Sequence, residues 1–166
     1  MQNKKEKLED YIIKNIDKMY RLAYSYAKNQ QYAEDILDES VVRAIASIDS
    51  LKNIDYLGTW FYRIVINTAN TYLKKQSKII YIDEAIENTS SYNDKYADTD
   101  LYNAVMNLKE QYRIIIILRF YEDMTLEKIS EILNENINTV KTRLYKALEL
   151  LRQNVGKDVN LNEGIF

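Results

Sequence analysis

The chain has no proline, no cysteine, no histidine and only three glycines in 166 residues. With so few helix breakers and much Leu, Ile, Glu and Lys, it reads as all-helical, with little sheet. Lack of cysteine excludes disulfides and thiol chemistry. Lack of histidine removes the commonest general base and the commonest metal ligand. Together the two absences leave no way to build a structural zinc site or a Ser-His or Cys-His nucleophile. Carboxylate-only hydrolysis stays formally open, but no motif points to it, and no glycine loop cradles a phosphate. The expectation is therefore no catalytic residue, no metal, no cofactor and no small-molecule substrate.

Long apolar runs are missing too. Crossing a bilayer takes roughly 20 apolar residues, whereas the longest run here, Ile114 to Leu118, sits between Arg113 and Arg119 and reads as buried core. The opening MQNKKEKLED lacks the apolar segment of a signal peptide, so a cytoplasmic protein is expected. Charge is nearly balanced, with a net of −2, which excludes a uniform basic coat. Any grip on nucleic acid must come from local positive charge.

Charge is distributed unevenly along the chain. Residues 1–75 carry 12 basic and 10 acidic groups, residues 76–107 two and six, and residues 108–153 eight and seven. The acidic middle stretch, with its Thr-Ser-Ser-Tyr-Asn-Asp cluster, has weak periodicity and reads as a flexible linker over 79–99. It would join a three-helix domain over 1–78 to a four-helix domain over 100–154, followed by a tail over 155–166. In the first domain the helical stripes are Leu8, Ile12, Ile16, Met19, Ala23 and Ala27, then Ala33, Ile36, Leu37, Val41, Ala44, Ile45 and Ile48. A third stripe holds Leu57, Trp60, Phe61, Ile64, Val65, Ala69, Tyr72 and Leu73. The second helix turns Glu34, Asp35, Asp38 and Glu39 outward. The third turns out Thr59, Arg63, Asn67, Asn70, Thr71, Lys74 and Lys75.

The second domain opens with Leu101, Ala104, Val105 and Leu108 on one amphipathic helix, and Tyr112 to Tyr121 is apolar nearly all round. Thr125 to Arg152 then reads as two short helices of opposite charge around a polar turn. Glu122, Asp123, Glu127, Glu131 and Glu135 face one base, Lys128; Lys141, Arg143, Lys146 and Arg152 face one acid, Glu149. Thr125 is placed to cap the first helix and Asn134 to take the left-handed turn. Asn138 or Thr139 is placed to cap the second. Ser130 is small where the helices would cross. A helix with an apolar stripe and an otherwise basic surface suits a major groove. The spacing alone equally allows an ordinary hairpin whose basic face is solvated.

Two blocks together narrow the choice. YAEDILDESVVRAI (Tyr32 to Ile45) and WFYRIVINTANTYLKK (Trp60 to Lys75) resemble the second conserved region of ECF, or extracytoplasmic function, sigma factors. Leu108 to Arg152 resembles their fourth region. The resemblance implies a promoter-melting domain and a helix-turn-helix domain. It assigns Glu34, Asp35, Asp38 and Glu39 to docking on RNA polymerase core. It assigns Arg63, Asn67, Asn70, Lys74 and Lys75 to the −10 element, with the connector Asp49 to Asp55 receiving a flipped base, although Trp60 lies on the apolar stripe and reads as packing. Asn138, Thr139, Lys141, Thr142, Arg143 and Lys146 fall to the −35 element, with Arg143 and Lys146 on phosphates. Polymerase core, promoter DNA and an anti-sigma factor, often membrane-anchored in this family, are the implied partners. The stretches NENINTVKTRLYKAL and LAYSYAKNQ are most similar to envelope-stress members from Firmicutes, including a lysozyme-responsive group. Two departures bear on promoter preference: Asn134 and Glu135 replace the family's usual glycine and apolar residue, and Thr71 and Lys74 stand where Asp and Arg are common. Two other readings stay open on the residues themselves, a stand-alone dimeric helix-turn-helix regulator and a helical interaction adaptor.

Overall fold

The structure is a computed structural model that describes residues 1–80 and 100–155. The described residues form helices and turns with no strand, in two compact units. The expected linker from 81 to 99 and the expected tail from 156 to 166 lie outside the described residues.

The first unit holds α1 (Lys4–Ala27), α2 (Gln30–Ser47) and α3 (Leu57–Ile80). Helix α1 starts with a capping box: Asn3 accepts from the Glu6 amide, and the Glu6 carboxylate accepts from the Asn3 amide. It stops where Lys28 turns left-handed (φ 54°), and Asn29 at once caps α2 by accepting from the Tyr32 amide at 2.9 Å. So tight a reversal folds α2 back along α1. Fully buried Ala23, Ala33, Ala44 and Ala69 let the three helices approach closely around Leu22, Ile36, Phe61 and Val65.

Three expectations shift here. Ile16 and Ile45, expected in the core, are largely exposed, while Leu22 and Tyr26 take the core positions on α1. Thr59, expected to face outward, is 4% exposed. Helix α3 packs against both α1 and α2, so Thr59, Tyr62 and Ile66 form a second buried stripe beside the first. An apolar-stripe reading assumes one neighbour, and α3 has two.

The second unit holds α4 (Asp100–Met106), α5 (Glu110–Ile116), α6 (Leu126–Leu133) and α7 (Ile137–Val155). Helix α5 continues into a wider π turn, Ile117–Tyr121, closed by the Glu122 amide on the Ile117 carbonyl at 3.0 Å. Residues 114–118 are buried on every side, as their unbroken apolarity requires. Arg113, also buried, sends Nη1 to the Leu108 carbonyl at 2.8 Å and so ties α5 to the turn that follows α4. Ile129 and Ile132 of α6 meet Val140, Leu144, Ala147, Leu148 and Leu151 of α7 in the same core.

Candidate partner and promoter surfaces

On α2 the four acids divide into two pairs. Glu34 and Asp38 are exposed, Glu34 Oε1 accepting only from Gln30 Nε2 at the surface, at 3.1 Å. Asp35 and Glu39 are half-buried and engaged: Asp35 Oδ2 accepts from the Tyr72 hydroxyl at 2.7 Å, and Oδ1 accepts from Gln31 Nε2 at 3.0 Å. Glu39 pairs with Arg43, whose Nη1 reaches Thr68 Oγ1 at 3.4 Å. Burial first, then the hydrogen bond and charge of Asp35, push the Tyr72 phenol well above its ordinary range. Tyr32 adds an edge contact to the Tyr72 ring, with centroids 5.6 Å apart. A polar seam thus joins α2 to α3 along residues 32, 35, 39 and 43 on one side and 68 and 72 on the other.

One step round α3 from that seam runs a polar stripe. Arg63, Asn67 and Thr71 recur every four residues and are exposed, and Lys74, Lys75 and Lys78 continue the row. Asn70 lies at its edge, half-exposed. Tyr56 was missed by sequence reasoning. It ends a 3-10 turn, Ile54–Tyr56, is 56% exposed, and lies seven residues (two helical turns) ahead of Arg63. It lies in the connector, ahead of the α3 stripe, where no helical periodicity marks it. An exposed ring, amides and a run of lysines on one track are the parts that hold single-stranded nucleic acid.

In the second unit the turn between α6 and α7 is set by side chains. Thr125 caps α6, accepting from the Lys128 amide at 3.2 Å. Asn134 closes it in the left-handed region at φ 52°, ψ 45°. Ser130 Oγ donates to the Glu135 carbonyl at 2.7 Å, which locks the turn from beneath. The cap of α7 corrects the expectation: it is Asn136, whose side chain accepts from the Asn138 amide at 2.8 Å. The helix starts at Ile137, so Asn138 and Thr139 lie within its first turn, exposed and half-exposed, with no acid beside them.

Lys141, Thr142 and Lys146 are exposed along the same helix, and Arg143 is half-buried. Thr142 spends its hydroxyl proton on the Asn138 carbonyl at 2.8 Å. Arg143 pairs with Glu135 at 3.3 Å and Lys146 with Glu149 at 3.6 Å. Part-exposed and exposed surface pairs of this kind stabilise by about 0–1 kcal/mol, so a phosphate can replace either acid. Tyr145, 50% exposed and one turn beyond Lys141, joins this face and was also missed. Among the described residues no cluster of three or more carboxylates is placed to hold a metal ion, and no helix is long and apolar enough to cross a membrane.

Residues 12–79 match the family model for Sigma-70 region 2, and residues 98–151 match that for Sigma-70, region 4. RNA polymerase sigma factor SigV of Bacillus subtilis is 50% identical over 141 residues, spanning 84% of this chain and 85% of that protein. ECF RNA polymerase sigma factor SigW of Bacillus subtilis is 31% identical over 154 residues, spanning 82% of each. The chain belongs to the ECF sigma factors. Its fold agrees with the solved structure of the sigma factor RpoE in complex with the anti-sigma factor NepR from Bartonella quintana, at a TM-score of 0.78 and 21% identity over 91% of this chain and 98% of that one. In sigma-factor terms, the α2 seam and the α3 stripe fall in region 2 and the α6–α7 turn in region 4.

Proposed function

We propose that this ECF sigma factor binds core RNA polymerase and directs promoter-specific initiation through three surfaces. Docking uses the α2 acids, led by the exposed Glu34 and Asp38, with Asp35 and Glu39 at the rim. The −10 strand lies along Arg63, Asn67, Asn70, Lys74 and Lys75 after separation from its complement. The −35 duplex takes the first turns of α7 into its major groove, with Asn138, Thr139, Lys141 and Thr142 near base edges and Arg143 and Lys146 on phosphates. The supporting observation is the segregation of charge: acids gather on α2, while amides and bases line α3 and α7.

Catalysis belongs to the polymerase core in this reading, and the chain supplies no active site. An anti-sigma factor holds the protein inactive by covering these surfaces, and the setting is the cytoplasm of a Firmicute under envelope stress, lysozyme being the inducer the resemblance favours. Run-off transcription with purified core on upstream fragments of the host genome tests the proposal. Promoter-specific transcripts that need this chain support it. Core that ignores the chain, or a stable homodimer that binds promoter DNA tightly by itself, sinks it in favour of a stand-alone regulator.

A further inference from the structure

The connector between α2 and α3 is two 3-10 turns, Ile48–Ser50 and Ile54–Tyr56, with residues 51–53 belonging to neither. Ile48 and Leu57 are buried at its ends and Leu51 at its middle, while Asp49, Lys52, Asn53, Asp55 and Tyr56 are exposed. Asn53 shapes the second turn by accepting from the Asp55 amide at 3.0 Å. That bond is local. A second bond comes from far along the chain: Lys4 Nζ donates to the Leu51 carbonyl at 2.6 Å, in a part-buried position across 47 residues.

We infer that Lys4 is a positioning residue for strand reading: its ammonium, bonded to the Leu51 carbonyl, fixes the connector whose exposed side chains meet the separated promoter strand. The inference rests on the sigma-factor reading above and deepens it at one surface. Lys4 precedes the stretch that matches region 2. It is the first residue of α1, yet the capping box of Asn3 and Glu6 keeps that turn from fraying.

Its neighbours extend the support. Leu8 is buried one turn on, and the Tyr11 ring meets Phe61 edge-on with centroids 6.1 Å apart. The Tyr11 hydroxyl lies so near Gly58 that a Cβ there would sit 3.0 Å from it. The first turns of α1 therefore buttress both the connector and the first turn of α3. Discrimination between bases needs side chains held to within about 0.5 Å, and support of this kind provides it.

The test uses holoenzyme reconstituted from core and full-length chain. Transcripts are compared from a promoter that the wild type uses and from copies with single −10 bases changed. Lys4→Met keeps the aliphatic stem and removes the donor; it should lower the ratio of cognate to altered transcript about threefold, the scale of one net hydrogen bond. Core affinity should stay within error, because the α2 acids are untouched. Lys4→Arg, which can still donate, should restore the ratio. Amide exchange at residues 51–56 should quicken in Lys4→Met while α2 keeps its protection.

A uniform fall on all templates with the ratio intact makes Lys4 a stability residue and overturns the inference. So does an unchanged ratio with unchanged output, or an Arg variant no better than Met. Should the wild type give no promoter-specific transcript at all, the sigma-factor reading itself fails and the inference goes with it.

Discussion

The two units solve the same problem, holding charged side chains still, by different means. In the first, long helices of 24, 18 and 24 residues are fixed by an alanine-lined core, and function rides on the outer faces of regular helix. In the second, α4, α5 and α6 have seven, seven and eight residues, too short to stand without packing. There the direction of α7 is set by a few turn side chains: Asn134, Ser130 and Asn136. The lesson is where each unit is vulnerable. Surface substitutions on α3 should alter binding without loss of fold, whereas one residue at the α6–α7 turn should alter both.

The largest test of that contrast is Phe61→Ala. Phe61 is fully buried between α1 and α3, and its loss should destabilise the first unit by about 3–5 kcal/mol. Amide exchange in α1–α3 should accelerate while α5–α7 keep their protection. Acceleration in both units would show that they do not fold separately.

Next in size is a crossed pair of charge substitutions. Lys146→Ala should weaken binding to a −35 duplex about fivefold and flatten the dependence of log affinity on log salt by about 1, as loss of a phosphate contact does. Holoenzyme carrying Lys74→Ala with Lys75→Ala should keep the duplex contact and lose affinity for a pre-melted −10 strand. If the variants swap phenotypes, the assignment of the two elements to the two units is reversed.

Smaller again is Asn134→Ala. An Ala at φ 52° meets the left-handed penalty that Asn relieves, so the second unit should lose about 1 kcal/mol in urea melts. Asn134→Gly should be neutral or better. Equal losses for both would mean that the Asn side chain, not the backbone conformation, holds the turn.

How much of this was legible in the sequence follows the range of each interaction. Thr125 and Asn134 act on backbone within three residues of themselves, and their roles were plain from position alone. The stripe of α7 was equally plain: α4, α5 and α6 all pack on it, and what they bury, Val140, Leu144, Ala147, Leu148 and Leu151, is what the spacing picks out. The cap at Asn136 was displaced by two residues because three Asn residues, 134, 136 and 138, compete for the same job, and the choice depends on where the turn releases the chain. Thr59 was misplaced because the number of neighbours of α3 is a tertiary fact. The Lys4–Leu51 bond, 47 residues apart, and the Tyr72–Asp35 bond, 37 apart, have no local signature at all. Sequence pattern therefore found the acidic face and both basic rows, but not the seam that leaves Asp35 and Glu39 only partly available.

That seam supplies the smallest and most specific prediction. Tyr72→Phe keeps the ring against Tyr32 and removes only the hydroxyl bond to Asp35, so near neutral pH it should cost about 1 kcal/mol. The phenol is raised in the folded state, by burial first and by Asp35 second. A group raised in this way contributes its full stability at pH below its unfolded value near 10, and loses it as pH climbs toward the folded value. The wild-type advantage over Tyr72→Phe should therefore stay level from pH 7 to about 9.5 and shrink above it, read as the difference in urea midpoint. The fourteen other tyrosines titrate in both proteins and cancel in that difference. An advantage that holds steady to pH 11 would mean that the hydroxyl is not held by Asp35, and that Asp35 is freer to dock than its place in the seam implies. The division of the acidic face into exposed docking groups and engaged bracing groups depends on that outcome.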